Sequence, residues 1–331
     1  MKLKSFIVGV IVFLVSVCNP VARAGSLTTE AVSIFPANTT EFGFTDLQQA
    51  RALSWFPALR SQVLPAQLWQ FEQLLASPGM DPDSHVEGVA WGVVSSAAQQ
   101  APPSQGASAG GEMFVVALGQ FSPESTDAYF RSKKLTVVKV RDYPLYPVSG
   151  SGSGDLFFSF MNSTVAVLGG RKELERVIGI RYGEEQSLLS NAELAPLIAE
   201  ANGRSIVWGV LNASSAQAEM EKIAPVVNAF PQSQALLSEL RAFTLEIDAD
   251  AAIRSRFEAV CASSGDADTF ATLLRADQHY QRSAAGNTNQ DMSGLLEQAT
   301  VASSGDRLDV TLDLTDDQVA GLFQHNGFLT R

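Results

Sequence analysis

The chain has 331 residues, 46% of them apolar, and a formal net charge of -12. That acidity repels phosphate backbones and anionic lipid surfaces, which excludes the usual electrostatics of a nucleic-acid-binding protein. With only two cysteines, the fold has to be held by its apolar core rather than by a disulfide framework.

Residues 1–24 read as a signal peptide. Lys2 and Lys4 give a basic start, Ser5 to Val17 is uncharged and apolar, and Ala22-Arg23-Ala24 is the small-x-small pattern cleaved before Gly25. The apolar run falls short of the roughly 20 residues that span a bilayer core, so cleavage is expected over anchoring. Cys18 offers lipidation as an alternative, but Val17 stands before it where a small residue is expected. Removal of the leader takes away Lys2, Lys4 and Arg23 and no acid, leaving the mature chain at -15 with Cys261 as its one thiol. A periplasmic or extracellular destination follows. No later stretch has the length and hydropathy of a membrane span.

Residues 25–87 are expected to form a helical lead-in. Leu47, Ala50, Leu53, Phe56, Leu64, Leu68, Phe71 and Leu74 recur at helical spacing, with Pro57 and Pro65 dividing the run and Asp46 as a start signal. Pro78-Gly79 and Asp81-Pro82-Asp83 then turn the chain towards a strand.

Two related modules are expected to follow, over 88–203 and 204–331. Val89-Ala90-Trp91-Gly92-Val93-Val94 matches Ile206-Val207-Trp208-Gly209-Val210-Leu211, which suggests an internal duplication. Later elements recur in the same order. Met113 to Leu118 reads as a strand before the helix start Ser122-Pro123-Glu124, and Ile253 to Cys261 as a strand before a helix from Ser264. Strand pairs follow at Asp155 to Phe160 with Thr164 to Leu168, and at Ala299 to Ser303 with Leu308 to Leu314. Thr315-Asp316-Asp317-Gln318 fits a capping box. Ser95 to Gly111 is expected to be a loop and Asn212 to Leu240 helical. The fold class read from this order is α+β: two antiparallel-sheet modules with helices packed on them.

The most suggestive chemistry is Glu246, Asp248 and Asp250, which alternate on one face of a strand as a calcium site or an acid/base pair could require. A hairpin turning near Ala251 would instead set Asp248 opposite Arg254, Glu246 opposite Arg256 and Thr244 opposite Glu258, which is ordinary cross-strand pairing and the preferred reading. Gly169-Gly170-Arg171-Lys172 reads as a helix start rather than a phosphate cradle. Asp266, Asp268, Asp316 and Asp317 suit first helical turns. His85, His279 and His325 are never at metal-ligand spacing, Cys261 reads as a small core residue, and Trp91 and Trp208 as core. Asn38, Asn162 and Asn212 open glycosylation-type triplets of the kind that common residues produce by chance.

The sequence also carries Thr45-Asp46-Leu47, then Gly79-Met80-Asp81-Pro82 with His85-Val86-Glu87, then Phe114-Val115-Val116-Ala117-Leu118-Gly119-Gln120-Phe121. In this it resembles a group of functionally uncharacterised secreted bacterial proteins, over about the first half of the mature chain. The resemblance implies a bacterial, exported origin and no active site. The function expected is a noncatalytic binding or assembly role in the cell envelope, with a protein partner. A hydrolase using convergent carboxylates and a structural envelope component are the alternatives. No catalytic residue, cofactor or metal ligand is assigned from sequence.

Overall fold

The computed structural model describes residues 28–57, 60, 64, 66–94, 112–148, 156–223, 233–249, 253–284, 298–316 and 318. The leader with Cys18, the stretch 95–111, Asp250, Asp317 and His325 lie outside these residues. In chain order the elements are β1 (Thr39–Asp46), α1 (Leu47–Ala50), α2 (Ala66–Ala76), α3 (Pro82–His85), β2 (Val86–Val94), β3 (Glu112–Gly119), α4 (Pro123–Ser132), β4 (Val138–Val140) and β5 (Tyr143–Pro147). There follow β6 (Leu156–Phe160), β7 (Val165–Gly170), α5 (Arg171–Arg181), α6 (Leu194–Ala201), β8 (Val207–Asn212), α7 (Ala213–Ile223) and α8 (Ser233–Leu237). The last are β9 (Leu240–Ala249), β10 (Ile253–Cys261), α9 (Ser264–Ala284), β11 (Thr300–Ser304) and β12 (Arg307–Leu314). The fold is α+β.

The twelve strands among the described residues form one antiparallel sheet in the order β11-β12-β10-β9-β8-β1-β2-β3-β7-β6-β5-β4. At its middle β1 pairs with β8 in a register that sets Gly43 opposite Gly209. Gly43 has a steric reason to be glycine: a Cβ there would lie 2.5 Å from the Trp91 ring. Outward from β1 come β2, β3, β7 and β6, and outward from β8 come β9, β10, β12 and β11. In both directions a helix, α4 or α9, follows the third strand, and a hairpin after it, β6–β7 or β11–β12, returns its second strand beside that strand; on the first side β4 and β5 come between helix and hairpin.

Strand β1 falls in the stretch expected to be a helical lead-in. Its Phe42, Gly43 and Phe44 are too short a pattern to announce a strand, and its placement comes from pairing on both sides and burial on both faces. The helices expected nearby are present but short, as α1 and α2. Strands β4 and β5 and helix α6 have no counterpart in the sequence reading. The expected capping signals close as hydrogen bonds. Ser122 Oγ accepts from Ser125 N, and Thr315 and Gln318 bond reciprocally, backbone to side chain; α9, expected to open at Ser264, is capped one residue earlier, where Ser263 Oγ accepts from Asp266 N.

A broad apolar core lies on one face along the whole sheet, built from strand residues such as Trp91, Phe158, Phe243 and Phe257 against Phe71, Phe130, Met220 and Phe270 of the helices. A narrower core lies on the opposite face. It includes Phe42, Phe44, Phe114, Val167 and Trp208 under Leu174, Val177, Ile178 and Ile198, and takes no residue from β9, β10 or β12. Trp91 and Trp208 therefore face opposite layers, although their segments look alike in sequence.

Candidate functional site

Where the narrow core stops, the same sheet face becomes charged. The hairpin β9–β10 has the expected register: Arg254 opposite Asp248, Arg256 opposite Glu246, Glu258 opposite Thr244. Strand β12 extends each row, placing Asp309 opposite Glu258 and Asp313 opposite Arg254. Helix α6 lies at the margin of this face and contributes Glu200, and the turn after it Arg204, which with Thr244, Glu246, Arg256 and Glu258 line a small cleft.

Arg256 is the hub. Its Nη2 lies 2.6 Å from Asp309 Oδ1 and 2.7 Å from Glu258 Oε2, while Nη1 is 3.9 Å from Glu246 Oε2. Arg307 joins the other oxygen of Glu258 and donates to Glu200 Oε2 at 3.0 Å, tying β12 to α6. Glu258 is thus held between two guanidinium groups with only 8% of its side chain exposed. Burial works against both arginines, but their carboxylate neighbours outweigh it and hold them above the ordinary value. Glu246 goes the other way: burial raises its pKa, against the opposing pull of Arg256 and Arg204. Arg254 reaches Asp313 at 2.9 Å across β12 rather than Asp248 beside it. Asp248 accepts a hydrogen bond from the backbone of Ala249.

A second charged cluster sits beyond the broad core. Glu72, with 5% of its side chain exposed, pairs with Arg60 and lies 3.8 Å from Arg51. Arg51 also donates to the carbonyls of Pro82, Asp83 and Val86, which fastens α1 to the end of α3. Burial lowers the Arg51 pKa and raises that of Glu72.

The remaining sequence candidates are occupied structurally. Gly169 and Gly170 end β7, a Cβ on Gly170 would meet the Glu173 carboxylate at 2.3 Å, and the first turn of α5 thus carries its own acid where the helix dipole favours one. Asp266 accepts from Ser263 Oγ and Asp268 from Ser303 Oγ. Cys261 is buried, and burial together with Asp266 and Asp306 pushes its thiol up to about 11, which keeps it protonated at neutral pH. His85 and His279 lie on different helices, α3 and α9. Among the described residues no three His, Cys, Asp or Glu side chains converge as metal ligands do.

Asp81, Ser84 and His85 are a trio that sequence reading passed over. Ser84 Oγ is 3.1 Å from His85 Nδ1, yet that nitrogen also faces the Asp81 carbonyl oxygen at 2.8 Å, and the Asp81 carboxylate bonds Ser84 rather than the imidazole. A nucleophilic triad needs the acid on the far nitrogen of the ring. This arrangement caps α3. Glu200 and Arg307 were also missed, because only the sheet order brings them to Glu258.

No family model matches the chain, and no curated protein matches its sequence. Among solved structures, crystal form I of TP0453 aligns at 12% identity with a TM-score of 0.49, covering 91% of this chain and 97% of that one. Crystal form III of TP0453 aligns at 11% identity and a TM-score of 0.49, covering 89% and 98%. No helix among the described residues is long and apolar enough to cross a membrane.

Proposed function

We propose that the mature chain is an exported, noncatalytic binding or assembly protein of the bacterial cell envelope, carried on an internally duplicated scaffold. The observation that carries the noncatalytic reading is the pairing of Glu258 and Asp309 with Arg256 and Arg307. Acid/base chemistry needs a carboxyl free to exchange its proton with a substrate, and these are committed to guanidinium groups. Export rests on the leader and on the resemblance to secreted bacterial proteins.

The duplication is proposed in a register different from the one the two tryptophan segments suggest. Phe42-Gly43-Phe44-Thr45-Asp46 corresponds to Trp208-Gly209-Val210-Leu211-Asn212. Both end in a side chain that caps the following helix, Asp46 accepting from Gln49 N and Asn212 from Ser215 N. Phe42 and Trp208 face the same core with rings 5.6 Å apart. Further out, Val115 pairs with Leu168 as Phe257 pairs with Val310, and one constant shift in numbering relates the two pairs. On this reading the first copy begins at β1, within the stretch 25–87, and the second at β8.

Two measurements test the proposal. Mass spectrometry of the protein from its native envelope fraction is expected to find an N-terminus at Gly25, and an intact Met1 or a lipid on Cys18 would overturn free export. Affinity capture of the cross-linked mature chain from that fraction is expected to yield a reproducible protein partner. Capture of none would overturn the binding role.

A further inference from the structure

In a chain whose mature charge is -15, one stretch runs the other way. Residues 131–141 carry five cations, Arg131, Lys133, Lys134, Lys139 and Arg141, and no acid, and they hold three of the five lysines left once the leader is removed. The stretch joins the end of α4 to β4, the edge strand of the sheet, and to the two-residue turn before β5. Val138 and Val140 pack on the narrow core, so alternation turns Lys139 to the opposite face, where Phe130 of α4 is buried. There Lys139 adds to the stronger influence of Arg131 in holding the Asp127 carboxyl of α4 below its ordinary value.

Two of these cations stand where the backbone disfavours them. Lys134 (φ 55°) and Arg141 (φ 54°) are the only non-glycine residues with a left-handed backbone among the described residues. Lys134 follows the C-cap of α4. Its N–H bonds Arg131 O and that of Leu135 bonds Phe130 O, a helix ending that usually takes glycine. Arg141 opens the β4–β5 turn, a place that suits Asn or Gly. The helix dipole accounts for a cation at the end of α4, but not for lysine in place of glycine, nor for Lys139 on the next strand. Lys134 and Lys139 are exposed and make no hydrogen bond or salt bridge among the described residues. Between them Leu135 is 39% exposed and packs into neither core.

We propose that residues 131–141 are a docking patch for the anionic phospholipid headgroups of a bilayer surface, with Leu135 entering among them. The net charge of the chain does not forbid this. At physiological ionic strength charges are screened beyond about 8 Å, so a lipid phosphate at the patch meets its lysines and not the acids across the molecule. Each exposed Lys or Arg adds attraction to such a surface. A bare leucine among lysines fits a charged layer with hydrocarbon beneath it better than it fits an acidic protein. The inference goes beyond the binding role proposed above and takes from it only export, which brings the chain to a membrane.

The test is co-sedimentation of the purified mature chain with vesicles of phosphatidylcholine, alone or mixed with phosphatidylglycerol, at low and high salt. Association is expected to be at least several-fold stronger with phosphatidylglycerol and to be lost at high salt. Lys133→Gln with Lys139→Gln should weaken it several-fold, while Arg171→Gln with Lys172→Gln, an equal change of charge on α5, should leave it unchanged. Lys134→Gly should weaken association yet raise the thermal midpoint, because glycine relieves the left-handed backbone; this arm stays decisive if another variant folds poorly. Leu135→Ser should weaken binding to vesicles but not to soluble polyglutamate, a stand-in for an acidic protein. Equal binding to both kinds of vesicle, or equal loss from the two double variants, overturns the proposal. So does a Leu135→Ser chain that binds vesicles as the wild type does, which would assign the patch to an acidic protein. Such a failure leaves the export and capture measurements standing, since those are read on the native envelope fraction.

Discussion

The two halves of the sheet share a strand order and differ in what covers them. From β1 to β7 both faces are buried, one under the broad core and the other under α5, α6 and residues 31–35. From β9 to β12 only one face is apolar, and the other carries Glu246, Arg256, Glu258, Arg307 and Asp309. The difference is written in the strands. Phe114-Val115-Val116-Ala117-Leu118 is an unbroken apolar run suited to a strand buried on both sides, whereas Leu245-Glu246-Ile247-Asp248 alternates as a strand with one wet face does. One topology thus tolerates two environments, provided the residues of the second face change together.

The sharpest way to break this comparison is at the seam. Trp208 on β8 is fully buried in the narrow core against Phe42 and Phe44. Trp208→Ala is expected to cost about 3–5 kcal/mol in urea unfolding, the range for a large aromatic removed from a core. A cost below about 1 kcal/mol would mean that the central strands do not share one core across both halves.

On the charged face the effects should be smaller and graded by burial. Glu258→Ala leaves two guanidinium groups without their shared partner in a largely enclosed place, with an expected loss of about 1–3 kcal/mol. Arg254→Ala removes a pair in which both side chains are more than half exposed, and should cost at most about 1 kcal/mol. Equal losses for the two would show that the network is not organised around Glu258.

How much of this was legible beforehand follows the range of the interactions. The hairpin β9–β10 could be registered residue by residue, because a tight turn and period-two alternation fix its pairing locally. Helix starts at Ser122 and Thr315 were legible for the same reason, a cap being a contact three residues long, while the start of α9 was read one residue late, at Ser264 instead of the capping Ser263. The central pairing of β1 with β8 was not, since it joins residues 166 positions apart in the case of Gly43 and Gly209, and nothing local records it. Likewise Asp309 sits on a strand that was expected and Arg307 just before its expected start, but their place beside Glu258 depends on β12 returning next to β10. The Trp91 and Trp208 segments look alike in sequence yet lie in opposite cores. Composition is preserved there while the face is reversed, and facing is set by neighbouring strands rather than by the segment itself.

The finest distinction on the charged face concerns Glu246, whose carboxyl burial raises above the ordinary value of 4.5 despite Arg256 at 3.9 Å. A carboxyl with a raised folded pKa binds its proton more tightly in the native state than in the unfolded one. Native stability therefore carries no penalty from this group below pH 4.5, and loses ground as pH climbs from 4.5 through the raised folded value. Glu246→Gln keeps the shape and removes the titration. The variant should match the wild type near pH 4 and gain on it by about 0.5 kcal/mol or less at pH 7, a size typical of changes outside the packed core. Unfolding free energies at the two pH values measure the difference. If the variant instead lost ground at pH 7, the attraction to Arg256 would outweigh burial, and Glu246 would belong with Glu258 as a working member of the ion-pair network rather than as its strained edge.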